Sequence, residues 1–272
     1  STLSSSSAAS DVYKRQEYGY SISSINVRLS TFKSYSKLAV RAGVLSYDEQ
    51  LKIQSVSGFS RREEHRINSR RSNIRQGYKK AEPTEINSDQ VKALKTHPDT
   101  AQGFRDGLIM CLLLDHGLRV SEISDLKISD LDLETGHLHF YRKKVHKFQT
   151  HILSKDTRDY AKRYLSLPGM MNGAALIRRI KPNTSIITPQ GISERAIAYR
   201  VTAIGKAVGL KKLSPHDCRH HWATVAARSG TDLFTLQEAG GWSSLRTPRM
   251  YVQENHIANE GLRLSYIDDE EF

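Results

Sequence analysis

Tyr251 is the last of a scattered series of groups, Arg119, Lys144, His216, Arg219, Trp242 and Tyr251, whose chemistry fits attack on a phosphodiester. A tyrosine hydroxyl can attack phosphorus, and preorganised cations can hold the oxygens that gain charge in the transition state. Arginine suits that task because its planar fork grips two oxygens and stays charged. A nuclease or phosphatase would usually bring clustered carboxylates and a metal, and the sequence offers no such cluster. His216 and Arg219 are three residues apart, so a helix would present both on one face. His216 and His220 have the spacing of a helical metal pair, but no HExxH pattern is present and Arg219 would repel a cation there. Glu122, three residues after Arg119, is placed to orient a basic side chain, while Asp217 either pairs locally or faces solvent. Taken singly, each of these groups reads as an ordinary surface charge or core filler.

The elements that must position them are mostly helical. Residues 100–116 read as a helix with Phe104, Leu108, Ile109, Leu112 and Leu113 on its core face, broken at Gly117 just before Arg119. A short helix at 121–126 and a turn at 131–136 lead to strands at 137–142 and 148–153, with the basic segment 143–147 between them. Helices follow at 157–165, 193–208, 216–229 and 231–238, and one more carries Tyr251. Ile186 and Ile187 suggest a third strand, and Ser214 with Pro215 starts the helix of His216 and Arg219. Ala196, Ala198, Val201, Ile204 and Ala207 are the expected packing positions of helix 193–208. Further upstream, residues 21–42 form a basic amphipathic helix along Ile25, Leu29, Phe32, Tyr35 and Leu38, with Ser24 as its cap and Gly43 at its end. Residues 57–80 are polar and basic and read as a linker, ending near Pro83 and Asn87, that can order along a phosphate backbone.

The 272 residues carry 41 Lys and Arg against 29 Asp and Glu, and the net charge of +12 favours a polyanionic partner, nucleic acid first. A merely soluble basic protein is the plain alternative. Cys111 and Cys218 do not make a disulfide scaffold, Cys111 reads as a buried hydrophobe, and a reducing compartment fits. The apolar run 108–114 is far too short to span a membrane. The opening STLSSSSAAS lacks the apolar block of a secretory signal and reads as a disordered or non-native head over residues 1–16.

Three segments together resemble the tyrosine recombinases of the phage integrase family. HGLRVSEISDL (116–126) resembles the first arginine motif and places Arg119 as the catalytic arginine. SPHDCRHHWAT (214–224) resembles the His-x-x-Arg motif through His216 and Arg219, with His220 in a supporting place. GGWSSLRTPRMY (240–251) resembles the terminal Gly-His-Ser-Ser motif, with Trp242 in the histidine position and Tyr251 nine residues later. The substitution leaves one fewer titratable donor. The stretch YRKKVHKFQTHIL (141–153) resembles the hairpin that carries a catalytic lysine and puts Lys144 in that position, with Lys143 as the competing assignment.

The resemblance implies a mainly α fold with a small antiparallel β-sheet, a catalytic domain over 84–272, and a partial helical core-binding domain and linker over 17–80. That domain looks N-terminally incomplete, which puts closure on DNA in doubt. It implies site-specific recombination of double-stranded DNA through a 3′-phosphotyrosyl intermediate, with no cofactor, no metal and no ATP. Tyr251 would be the nucleophile, Arg119 and Arg219 the phosphate clamp, Lys144 the general acid, His216 a proton-transfer partner and Trp242 an indole donor. Further implications are a homotetramer on paired sites, accessory DNA-bending proteins, a C-terminal tail able to dock on a neighbour through Ile257 and Leu262, and a cytoplasmic setting in a bacterium or as a phage product. Integration or excision of a phage or mobile element fits Trp242 and the divergent hairpin better than resolution of replicon dimers. A topoisomerase of the tyrosine type, a non-catalytic DNA-binding relative and a purely structural helical protein remain as rival readings.

Overall fold

The computed structural model describes residues 22–60, 63, 83–170, 175–181 and 184–252. The head at 1–16, most of the basic linker and the tail residues Ile257 and Leu262 lie outside the described residues. The chain forms two compact units, residues 1–80 and 81–272.

The first unit contains α1 (Ile22–Arg41) and α2 (Tyr47–Ser55). Ser24 lies inside α1 and does not cap it. Gly43 takes a left-handed φ of 71° where α1 ends, a conformation that glycine reaches without a Cβ penalty. Ser46 then starts α2 through a capping box with Glu49. The two helices are tied by Lys33 Nζ donating to the Gln54 carbonyl at 2.8 Å and Gln54 Nε2 donating to the Lys33 carbonyl at 2.9 Å. Those ties lie on the Lys33 and Ser36 side of α1. Ile22 and Ile25 are buried, but Phe32, Tyr35 and Leu38 are exposed, so the amphipathic stripe is covered only at its start.

In the second unit, α3 (Ser88–Lys95) begins on the capping box of Asn87 and Gln90, and α4 (Ala101–Leu114) begins on Thr100. The apolar α4 is the hub of the core, packed against α6 (Lys155–Leu165) and α8 (Pro215–Arg228). Cys111 and Cys218 are both fully buried there. After α4 come α5 (Val120–Asp125), a 3₁₀ turn, and the antiparallel sheet β1 (Leu131–Asp132), β2 (His137–Arg142) and β3 (Lys147–Ile152), in that order. The hairpin register pairs His137 with Ile152 and Arg142 with Lys147.

The third strand of that sheet is β1, in the stretch read as a turn; at two residues it leaves no alternation to detect. Ile187 does enter a strand, β5 (Ile187–Gly191), but pairs with β4 (Arg178–Ile180) in a separate sheet. The chain continues through α7 (Glu194–Ala207), α8, α9 (Leu233–Gly240) and α10 (Arg246–Val252). On α7 the buried positions are Ile197, Val201, Ile204 and Gly205, while Ala207 is exposed. Gly205 is buried because Leu213 packs where its Cβ would stand.

Candidate active site

Arg119 occupies the N-cap of α5, directly after the left-handed Gly117 (φ 59°) and Leu118. A Cβ at Gly117 would collide with the Trp222 ring, so the bend that delivers Arg119 needs glycine both for its dihedral and for its space. The Arg119 backbone N–H and Nη1 each donate to Glu122 at 2.8 Å, and Nη2 donates to the Gly241 carbonyl at 2.9 Å. Glu122 therefore does orient a basic side chain.

Arg219 projects from the first turns of α8 and is buried. Its Nη1 donates to the Gly117 carbonyl and its Nη2 to the Gly240 carbonyl. Its guanidinium carbon stands 4.7 Å from the Trp242 ring centre. Burial, and then Arg119 and Arg142 beside it, pull the Arg219 guanidinium down to about 9, still protonated at neutral pH. Two arginines thus converge on the carbonyls of Gly117, Gly240 and Gly241.

Asp217 sets the start of α8. It is buried and accepts the Ser214 backbone N–H at 2.8 Å, the Ser214 hydroxyl at 2.7 Å and the Thr84 N–H at 3.0 Å. Of the two readings the sequence allowed for it, the local pairing holds and solvent exposure does not. His216, one residue earlier, is exposed although Arg219 is buried.

Tyr251, on α10, lies between His220 and Trp242. The ring centres are 5.0 Å apart for His220, edge-on, and 5.9 Å for Trp242. Trp242 also meets Trp222 at 6.2 Å, so the tyrosine leans on an aromatic pair that the Arg219 guanidinium also approaches. His220, expected only in support, is in ring contact with Tyr251.

Lys144 sits in the turn between β2 and β3, exposed, with no ion pair to any described residue. Its neighbours are occupied: Lys143 Nζ is 2.7 Å from Asp125 and Lys147 Nζ is 2.5 Å from Glu238. The residue that sequence reasoning missed is Arg142, the last of β2, with no exposed surface. Its signal was present in the alternation HLHFYR, where Arg142 shares the inward face of Leu138 and Phe140.

Residues 84–257 match the phage integrase family. The chain belongs to that family. Among similar proteins, tyrosine recombinase XerA of Pyrococcus horikoshii is 28% identical over 240 residues, covering 88% of this chain and 72% of the relative. Tyrosine recombinase XerC of Lactobacillus leichmannii is 27% identical over 253 residues, covering 90% and 75%. The crystal structure of XerA recombinase superposes with a TM-score of 0.54 at 24% identity, over 84% of this chain and 78% of that one. A lambda integrase dimer bound to a COC′ core site gives 0.62 at 15% identity, over 98% and 68%. The phage integrase family member described here is thus a tyrosine-type site-specific DNA recombinase with the expected mainly helical fold. Among the described residues no helix is long and apolar enough to cross a membrane.

Proposed function

We propose that this recombinase cleaves and rejoins duplex DNA through a 3′-phosphotyrosyl bond at Tyr251. The carrying observation is the common anchoring of the candidate nucleophile and the cations. The segment that leads to Tyr251 supplies the Gly240 and Gly241 carbonyls that hold Arg219 and Arg119. Attack by the Tyr251 hydroxyl forms the phosphorus–oxygen bond as the bond to the 5′-oxygen breaks. Arg119 and Arg219 hold the non-bridging oxygens, and their cationic site is strengthest where burial excludes water. Lys144, the uncommitted lysine of the hairpin, protonates the leaving 5′-oxygen, and Lys143 is held by Asp125 instead. His216 handles protons at the rim, and Trp242 braces Tyr251 and offers its indole N–H to a phosphate oxygen.

The covalent link conserves the bond energy, so a 5′-hydroxyl from a partner strand can reverse it without ATP or metal. In this reading residues 84–272 are the catalytic domain and 17–80 belong to a core-binding domain with its linker. Four copies work on two paired sites, with DNA-bending proteins as accessories, in the cytoplasm of a bacterium or as a phage product there. The biological use is integration or excision of a phage or mobile element.

The test is covalent trapping. The purified chain is incubated with a pool of nicked duplexes, and an SDS-resistant adduct is sought. The adduct is expected with the wild-type protein and absent with Tyr251→Phe. An adduct that survives in that variant rules Tyr251 out. The trapped DNA then supplies substrates for strand exchange: joining of two unlike sites supports element integration, and exchange confined to identical sites rejects it.

A further inference from the structure

Arg142 has no exposed surface, yet its one guanidinium joins three elements. Nε donates to Gln149 Oε1 across the hairpin. Nη1 donates to both Glu122 oxygens at 3.0 Å and to the Gly240 carbonyl at 3.2 Å. Nη2 donates to the Ala239 carbonyl at 2.7 Å. Glu122 is the carboxylate that holds Arg119, and Gly240 is the carbonyl that holds Arg219. Arg142 also directly precedes the turn that carries Lys144.

We infer that Arg142 is a positioning residue that sets the Lys144 hairpin against the Arg119–Arg219 pair. The inference rests on the phosphotyrosyl reaction proposed above. Stability alone gives a poor reason for an arginine here. A buried ion pair can often be replaced by apolar residues of similar volume without loss, because desolvation offsets the attraction. Two guanidiniums, Arg119 and Arg142, share the one carboxylate of Glu122, which makes that cost larger, and Arg142 is pulled below the usual arginine range by burial first, with Glu122 opposing. An apolar side chain would lack direction. Five donors in a rigid plane fix the angle between the hairpin and both arginines, and a lysine at 142 could not reach all three elements. The other ties of the hairpin tip, Lys143 to Asp125 and Lys147 to Glu238, are largely exposed and hold it weakly. Gln149 completes the buried joint by donating to the Glu238 carbonyl.

The experiment compares two nicked duplexes on which wild-type protein forms its adduct. One has the normal 5′-oxygen at the scissile phosphate, and the other has sulfur there. In both, the bond from Tyr251 to phosphorus forms as the bond to the leaving atom breaks. A thiolate departs without a proton, so the sulfur duplex does not need Lys144. Arg142→Lys is expected to slow cleavage of the oxygen duplex by about 100-fold and of the sulfur duplex by less than about threefold. Gln149→Met, which frees β3 from Arg142 and from the Glu238 carbonyl but leaves Arg142 on Glu122, Gly240 and Ala239, should show the same pattern at about 10-fold and carries the test if Arg142→Lys does not fold. Equal losses on the two duplexes overturn the inference, because a general structural defect does not distinguish leaving groups. A wild-type protein that forms no adduct on either duplex overturns the recombination chemistry itself, and this inference with it.

Discussion

The arginine side and the lysine side of this site are built by opposite means. Arg219 and Arg142 are buried, and each is held by carbonyls from segments distant in sequence. Lys144 is exposed on a four-residue turn and paired with no described residue. A charge that must meet phosphate at a fixed place is best preorganised, since fixed dipoles and cations need no rearrangement at the moment of reaction. A proton donor must instead reach a leaving oxygen, and a lysine on a tip keeps the freedom to do so. The contrast predicts that substitutions on the first side damage fold and chemistry together, while those on the second damage chemistry alone.

The largest effect should come from Arg219→Ala. Its removal deletes the proposed phosphate contact, takes the Arg219 donor from the buried Gly117 carbonyl and leaves the Gly240 carbonyl to Arg142. Cleavage in the trapping assay should fall by about 10³-fold, and unfolding free energy by on the order of 2–3 kcal/mol. Arg219→Ala that cleaves poorly but melts like wild type would break the contrast from this side.

Lys144→Ala is the complementary case. Cleavage of oxygen-leaving DNA should fall by at least about 100-fold with no change in melting beyond about 1 °C, because the side chain buries nothing. A substantial drop in melting temperature would show that the tip is structural after all.

Much of this arrangement was legible in the sequence, and the gaps have physical causes. The cap at Ser214 announced itself because a short polar side chain must satisfy the first orphan N–H groups, and Asn87, Thr100 and Ser193 cap their helices in the same way although they were not read as caps. The hairpin strands, read as 137–142 and 148–153, form at 137–142 and 147–152, the second one residue earlier than read. The two-residue β1 and three-residue β4 did not show, since strands that short leave no alternation to detect. Within the site, Arg119, Arg219, Trp242 and Tyr251 are brought together by contacts, as their motifs led one to expect. Arg142 was passed over because an arginine beside two lysines looks like part of a solvated basic turn. Only its register, inward with Leu138 and Phe140, marks it otherwise. The stripe on α1 misled in the reverse direction: helical spacing says which residues share a face, but not whether a neighbour covers it.

A third prediction probes the interior through pH. His116 is buried against Thr157 at 2.9 Å, and burial pulls it down to about 4. His151 lies 5.9 Å from it, ring to ring, and burial followed by Arg142 pulls it down to about 3. Both are therefore neutral in the fold but protonated in the unfolded chain below pH 6.5. The unfolded state binds more protons in that window, so stability is full above about pH 6.5 and declines as pH falls toward 4 and 3. Urea unfolding at pH 7.5 and pH 5 should differ by about 2 kcal/mol for each histidine. His116→Gln should remove its share of that slope, and an unchanged slope in the variant would assign the acid sensitivity elsewhere.

The smallest effect sharpens the comparison at the tip itself. Lys143 and Lys144 are adjacent and both exposed, but only Lys143 is bound to a carboxylate, Asp125 at 2.7 Å. That contact raises the Lys143 ammonium above the usual lysine range, through the hydrogen bond first and charge second. A lysine held charged by a neighbour is a poorer acid, and it is turned toward α5. Lys143→Ala should therefore change cleavage by less than about threefold and leave the melting temperature within about 1 °C of wild type, since an exposed pair contributes little. A loss at Lys143 equal to that at Lys144, rescued in the same way by a sulfur leaving group, would move the general acid to Lys143. The tip would then resemble the arginine side, with its working cation held in advance by a carboxylate.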